Sequence, residues 1–138
     1  MHNMTRKLNI LLFLLIYLTA NATSQLGDIL IWKGDTLTLF SNPLELRSDW
    51  KELSKIIVSE FENEGRRLYP RKYEAEVLKS ASSSACWRGY IAEWTIICDK
   101  IYLSNIYACH DSKVKVDLKK IFGNELMENL LYANWITG

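Results

Sequence analysis

Residues 86–110, CWRGYIAEWTIICDKIYLSNIYACH, alternate apolar and polar side chains on both sides of Asp99-Lys100. A period of two belongs to an extended strand, and two such runs joined by a short polar pair read as an antiparallel hairpin. With Asp99-Lys100 as the turn, Trp94 faces Asn105, Ile96 faces Leu103, Ala92 faces Tyr107 and Tyr90 faces Cys109. Tyr90, Ala92, Trp94, Ile96, Leu103 and Tyr107 then share one apolar face, and Glu93, Thr95 and Ser104 share the other. One apolar face marks a half-buried hairpin, and a one-residue slip would exchange the faces. Whatever fold the chain adopts has to keep this register and cover this face.

A second hairpin is legible at Gly27–Phe40, GDILIWKGDTLTLF. Gly34-Asp35 suits a type II′ turn, which pairs Trp32 with Leu37 and Leu30 with Leu39 on one apolar face. Ser41-Asn42-Pro43 ends the run, because proline cannot donate to a ladder. From Ser48 to Asn63 the period changes. Trp50, Leu53, Ile57 and Phe61 recur at helical spacing, Ser48 is placed to cap, and Gly65 is placed for a C-terminal cap. This helix should lie on a sheet. Residues 65–85 predict a loop with a short helix around Tyr73 to Lys79 and a surface loop at Ala81–Ala85. Asp117 caps a short helix carrying Leu118, Ile121 and Phe122, and Ala133 to Thr137 begins another strand. The expected fold class is α+β, an antiparallel sheet built from two hairpins with one main helix packed on it.

The N-terminus carries a different message. Arg6 and Lys7 precede an apolar run, Ile10 to Ala20, and Ala20-Asn21-Ala22 places small residues where a signal peptidase reads. That is a secretory signal peptide, residues 1–22, with an apolar run too short to span a bilayer. The mature chain, residues 23–138, is one domain of 116 residues. It is expected to be periplasmic or secreted, with no stable membrane span after cleavage. Losing Arg6 and Lys7 takes the net charge from +1 to −1. No basic excess remains to condense on phosphates, so no nucleic-acid partner is expected.

Several phrases together resemble a known group. They are GDILIWKGDTL, Asn42-Pro43-Leu44-Glu45, CWRGYIAEWTI followed by KIYLSNI, and the closing Ala133-Asn134-Trp135-Ile136-Thr137-Gly138. They are similar to small exported proteins of Bacteroidota-type bacteria that share a W-R-G-Y-x-A-x-W core. The resemblance implies export and an α+β fold, and it brings no activity with it. Members of that group continue past the W-x-x-G step into a further strand, which implies that this chain is truncated at its C-terminus.

The side chains able to carry chemistry are few. Export permits disulfides, and three cysteines are present, Cys86, Cys98 and Cys109. In the register above, Cys98 and Cys109 are ends of one strand, roughly 35 Å apart at about 3.3 Å per residue. A bridge needs Cα atoms within about 7 Å. Cys86 with Cys109 comes nearest if the strand bends; otherwise all three are small buried hydrophobes. Three cysteines with His110 do not have the spacing of a zinc site, and Cys109 and His110 point to opposite faces of a strand. His110 is the one imidazole of the mature chain, and there is no G-x-S-x-G motif and no glycine-rich phosphate loop. Neither a cofactor, a metal nor an enzymatic activity is expected.

Glu93 is the one acid inside a strong strand, a carboxylate on the outer face with no second acid beside it. The basic run Arg66, Arg67, Arg71 and Lys72 suits either an acidic partner or the negative end of the preceding helix. Trp87-Arg88-Gly89-Tyr90 joins aromatics to arginine, the residues of binding hot spots. It is also the kind of segment a small core needs for packing. Trp87 and Tyr90 fall on opposite faces unless a bulge at Gly89 re-aims one. The candidate binding residues are therefore Trp87, Arg88, Tyr90 and Glu93. The expected function is that of a non-catalytic exported domain binding a protein partner, of the inhibitor or immunity type. The alternatives are a glycan-binding module using exposed tryptophan and a structural envelope component.

Overall fold

A computed structural model describes residues 25–68, 84–86, 88–109 and 111–136. The expected signal peptide, the helix around Tyr73 to Lys79 and most of the Ala81–Ala85 loop lie outside the described residues. The fold is α+β. Its strands are β1 (Asp28–Trp32), β2 (Asp35–Leu39), β3 (Tyr90–Ile97), β4 (Lys100–Ala108), β5 (Asp111–Lys115), β6 (Leu126–Met127) and β7 (Leu130–Tyr132). Its helices are α1 (Trp50–Leu68) and α2 (Leu118–Phe122). The strands form one sheet in the order β2-β1-β3-β4-β7-β6, with β5 also on β4.

The sheet is mixed, which corrects the antiparallel expectation. β1 runs parallel to β3, with Ile29 beside Glu93, Leu30 beside Trp94 and Ile31 beside Thr95. Hairpin patterns specify pairing inside each hairpin and leave open which edges meet. Parallel neighbours need a long crossover, usually helical, and the segment containing α1 supplies one here.

Both main hairpins turn one residue earlier than expected. Lys33 and Gly34 have φ of 50° and 85°, and Cys98 and Asp99 have φ of 49° and 61°. Two consecutive left-handed residues are the type I′ pattern, whose twist matches that of the flanking strands. Leu30 accordingly pairs with Leu37, and Trp94 with Leu103. Moving a turn by one residue moves the register by two, so the expected face survives in β1, β2 and β3.

It does not survive along all of β4. The register shifts between Glu93 and Trp94, so that Glu93 pairs with Asn105 and Ser104 is left as an extra, bulged residue. Beyond the bulge Ile106 and Ala108 are buried, and Tyr107 turns to the Glu93 side. Leu103 and Ile106 are both buried although three residues apart, which a regular strand cannot achieve on one face.

α1 packs Leu53, Ile57, Phe61 and Gly65 inward, with Trp50 half-buried against the core. It runs to Leu68 instead of ending near Asn63. Gly65 is not its cap; it continues the inward stripe four residues after Phe61. The core that α1 covers contains Tyr90, Ala92, Trp94, Leu103 and Ile106, with Leu118 and Phe122 from α2. Asp117 caps α2 as expected, its Oδ1 accepting from the Lys119 N–H at 2.9 Å.

The last described strand is Leu130–Tyr132; Ala133 to Ile136 form no strand, and Thr137 lies outside the described residues. Ala133 still donates its N–H to the Ile101 carbonyl at 3.0 Å, and the chain then turns at Asn134. That turn carries Trp135 back over the core. Its ring meets Trp94 edge-on at 6.4 Å, and its Nε1–H donates to the Pro43 carbonyl at 2.8 Å. Arg47 stacks over the Trp135 ring at 4.9 Å and is ion-paired with Asp49 and Glu125, which raise its pKa above the ordinary arginine value.

Candidate functional site

The Trp87-Arg88-Gly89-Tyr90 segment enters β3 from a short 3-10 turn at Ser84–Cys86. Gly89 makes the bend with φ of 78°, a left-handed value that favours glycine. Trp87 lies outside the described residues. Arg88 turns inward, donating from Nη1 to Asp28 Oδ1 and from Nη2 to the Leu26 carbonyl, both at 3.0 Å. Asp28 also accepts from the Ala92 N–H at 3.2 Å and from Trp94 Nε1 at 3.0 Å. The side chains of Arg88 and Asp28 are 4% and 0% exposed. Burying such a pair is costly, and the hydrogen bonds to Leu26, Ala92 and Trp94 offset part of that cost.

Tyr90 lies beneath Arg88, whose guanidinium carbon stands 4.9 Å over its ring. Burial, followed by the Asp28 and Glu45 carboxylates, pushes the Tyr90 hydroxyl well above the ordinary tyrosine pKa, against the pull of Arg88. The structure thus brings Arg88 and Tyr90 together as parts of the interior. Arg88 also forms one side of an open depression of about 530 Å³ beside Trp50 and Val58, with its guanidinium already committed. Asp28 is the residue that sequence reasoning missed. Its one signal is a carboxylate at the head of an otherwise apolar strand.

Cys86 and Cys109 form a disulfide, with Cα atoms 6.3 Å apart. It joins the entry of β3 to the exit of β4. Cys98 is free and exposed at the turn. His110 lies outside the described residues, as do Arg71 and Lys72. Arg67 is bound to Glu64 one turn back in α1, by Nε at 3.0 Å and Nη2 at 2.8 Å.

Glu93 sits on the opposite face of the sheet from the core and is not a solitary solvated acid. Its Oε1 accepts from Ser104 Oγ at 2.9 Å and from Asn105 Nδ2 at 2.7 Å, and its Oε2 accepts from the Tyr107 hydroxyl at 3.2 Å. Ser104 was an expected neighbour; the bulge adds Asn105 and Tyr107. Partial burial and the Glu93 charge raise the Tyr107 pKa.

The same bulge shapes a notch. The far edge of β4 is shared by two strands: β7 takes Tyr102 and Leu103, and β5 takes Tyr107 and Ala108. Between them, at Ser104 and Asn105, neither strand pairs with β4. The opening is a cavity of about 400 Å³ that reaches Ser104, Asn105, Lys113, Lys115 and Lys119, with Arg67 at the end of α1.

A different surface lies at the other side of the sheet. β2 is the edge strand, and among the described residues nothing pairs with its outer side. Trp32 and Leu37 are each 44% exposed and Phe40 is 78% exposed. Of the tryptophans described, Trp32 is the exposed one; Lys33 covers its ring, with Nζ 5.0 Å from the centroid.

Among the described residues no three His, Cys, Asp or Glu side chains are grouped to hold a metal ion, and no helix is long and apolar enough to cross a membrane. Comparison with protein-family models, curated proteins and solved structures finds no match.

Proposed function

We propose that the chain is a non-catalytic exported domain that binds a protein partner, of the inhibitor or immunity type, by accepting an extended strand from that partner along β2. The observation that carries this reading is the open β2 edge flanked by Trp32, Leu37 and Phe40. A free edge presents unpaired backbone donors and acceptors, and proteins normally blunt such an edge with lysine, proline or a bulge. Asp35-Thr36-Leu37-Thr38-Leu39 contains no lysine or proline, and its pairing with β1 is regular. The strand at the opposite edge, β6, is two residues long.

The side-chain pattern describes the occupant. Backbone bonds supply affinity and alternate side chains supply selection. Leu37 and Leu39 share one face and Thr36 and Thr38 the other, with Asp35 as the only charge. A strand with apolar residues opposite the leucines and a basic residue near Asp35 complements it. Arg88 and Tyr90, engaged in the interior, support β1 from behind, so their part in binding is to hold the edge in place. The exported half of the reading rests on Arg6, Lys7 and the apolar run that follows.

The test is capture of a partner from envelope extract, read together with hydrogen exchange. Bound partner should slow exchange at Thr36–Leu39, and Leu37→Lys should abolish capture while leaving the urea midpoint unchanged. Capture that survives Leu37→Lys with no new protection in β2 would overturn the proposal.

A further inference from the structure

We infer that the notch between β5 and β7 binds a small polyhydroxylated anion, a sugar bearing a carboxylate or a phosphate. Lys113 and Lys115 are two apart on β5 and so stand on one side of it, and Lys119 approaches from the first turn of α2. All three line the cavity, and among the described residues no carboxylate pairs with their ammonium groups. The two carboxylates that share the lining are already engaged. Glu64 holds Arg67, and Asp117 caps α2 while keeping its charge, so four cations against two carboxylates leave the lining net positive. Three unpaired cations around one opening repel one another, in a chain whose acidic and basic residues nearly balance. An anion between them removes that repulsion.

The floor of the notch selects further. Ser104 Oγ and Asn105 Nδ2 both donate to Glu93. What remains on that side is the Asn105 Oδ1, the lone pairs of Ser104 and the second Nδ2 hydrogen of Asn105. Acceptors beside a donor suit hydroxyl groups, which do both, and a simple inorganic anion meets them poorly. The Glu93 charge behind the floor also keeps an anionic group away from it. A ligand that satisfies both ends directs hydroxyls at Ser104 and Asn105 and its charge at the lysines. Leu118 and Leu126 in the wall suit the C–H face of a sugar ring. The cavity, about 400 Å³, lies within the usual range for small-molecule sites. This site is separate from the β2 edge, with β1 and β3 between them in the sheet.

The experiment titrates the full chain, as its host processes it, with glucuronate, glucose 6-phosphate, glucose and inorganic phosphate, followed by calorimetry and amide chemical shifts. Glucuronate or glucose 6-phosphate should bind and shift the amides of Ser104, Asn105 and Lys115, and which of them binds better identifies the anionic group. Glucose and inorganic phosphate should each be weaker by about tenfold or more, the worth of one charge-assisted hydrogen bond. Lys113→Ala with Lys115→Ala should weaken the charged sugar by about tenfold or more at unchanged Tm, and Lys→Arg at both positions should retain it. Lys119→Ala, on a different element, should act in the same direction. Glucose equal to the charged sugars, phosphate equal to glucose 6-phosphate, or no shift at Ser104 and Asn105 would each overturn the inference.

Discussion

β1 and β2 are joined by two residues, yet Asp28 at the head of β1 is fully buried while Asp35 to Thr38 of β2 are all exposed. Both strands begin with aspartate and continue with aliphatic side chains at alternate positions or better. The difference is in their neighbours. β1 has β2 on one edge and β3 on the other, and its first residue is met by Arg88, Ala92 and Trp94. β2 has β1 alone. Burial in this hairpin therefore follows from the parallel pairing of β1 with β3, a long-range event, and not from the content of either strand.

The sharpest way to break the comparison is to remove one aspartate from each strand. Asp28→Ala strands the Arg88 guanidinium, which is 4% exposed, together with the Trp94 and Ala92 donors. It should cost about 3–5 kcal/mol in urea unfolding, whereas Asp35→Ala should stay within about 0.5 kcal/mol. Equal effects would mean that the two strands are not energetically distinct.

The disulfide extends the contrast to the neighbours of β1. Replacing Cys86 and Cys109 by alanine opens a loop with a sequence separation of 23 and should cost about 3 kcal/mol. Cys98→Ser, at the exposed turn, should leave the unfolding midpoint where it was.

Alkali probes the same interior through protons. Tyr90 and Tyr107 both have raised pKa values in the fold, Tyr90 chiefly by burial. The fold favours the neutral hydroxyl, so its stabilising share is complete below about pH 10 and declines as pH rises toward the folded-state value. In that window Tyr90 should remove up to about 1.4 kcal/mol per pH unit, measured by urea midpoints at successive pH values. Tyr90→Phe should flatten the decline; Tyr107→Phe, at a half-exposed site, should flatten it less. The first turn should respond less than Asp28 or the disulfide. A Cβ added at Gly34 meets nothing within 4 Å, so Gly34→Ala pays only for its φ of 85°, about 1 kcal/mol.

What could be read from the sequence was local. The inward face of β3, the stripe of α1 and the Asp117 cap each depend on residues within a few positions of one another. The turns were misplaced by one residue because a register shift of two leaves the faces unchanged, and the apolar pattern cannot distinguish the two alignments. The bulge left a trace, the three-residue spacing of Leu103 and Ile106, which strict alternation overrides. The partner of Arg88 lies 60 positions away, and a carboxylate at the head of an apolar strand does not say what it meets. Cys86 with Cys109 was the nearest geometric pair and depended on a bend, which Gly89 provides on the Cys86 side. The candidate sites divide the same way. Glu93 stands out in the sequence as the one acid inside a strong strand, but its three donors are collected by the bulge. The notch is assembled from β4, β5, α2 and the end of α1, and no single stretch of sequence displays it.

The Cys86–Cys109 bond closes the β3–β4 hairpin into a covalent ring whose most exposed point is the Cys98–Asp99 turn. A chain cut at that turn is still one molecule. Its two halves remain tethered a few residues from where they pair, at an effective concentration that free fragments would not reach. A single proteolytic nick there changes the chain's topology without releasing either piece.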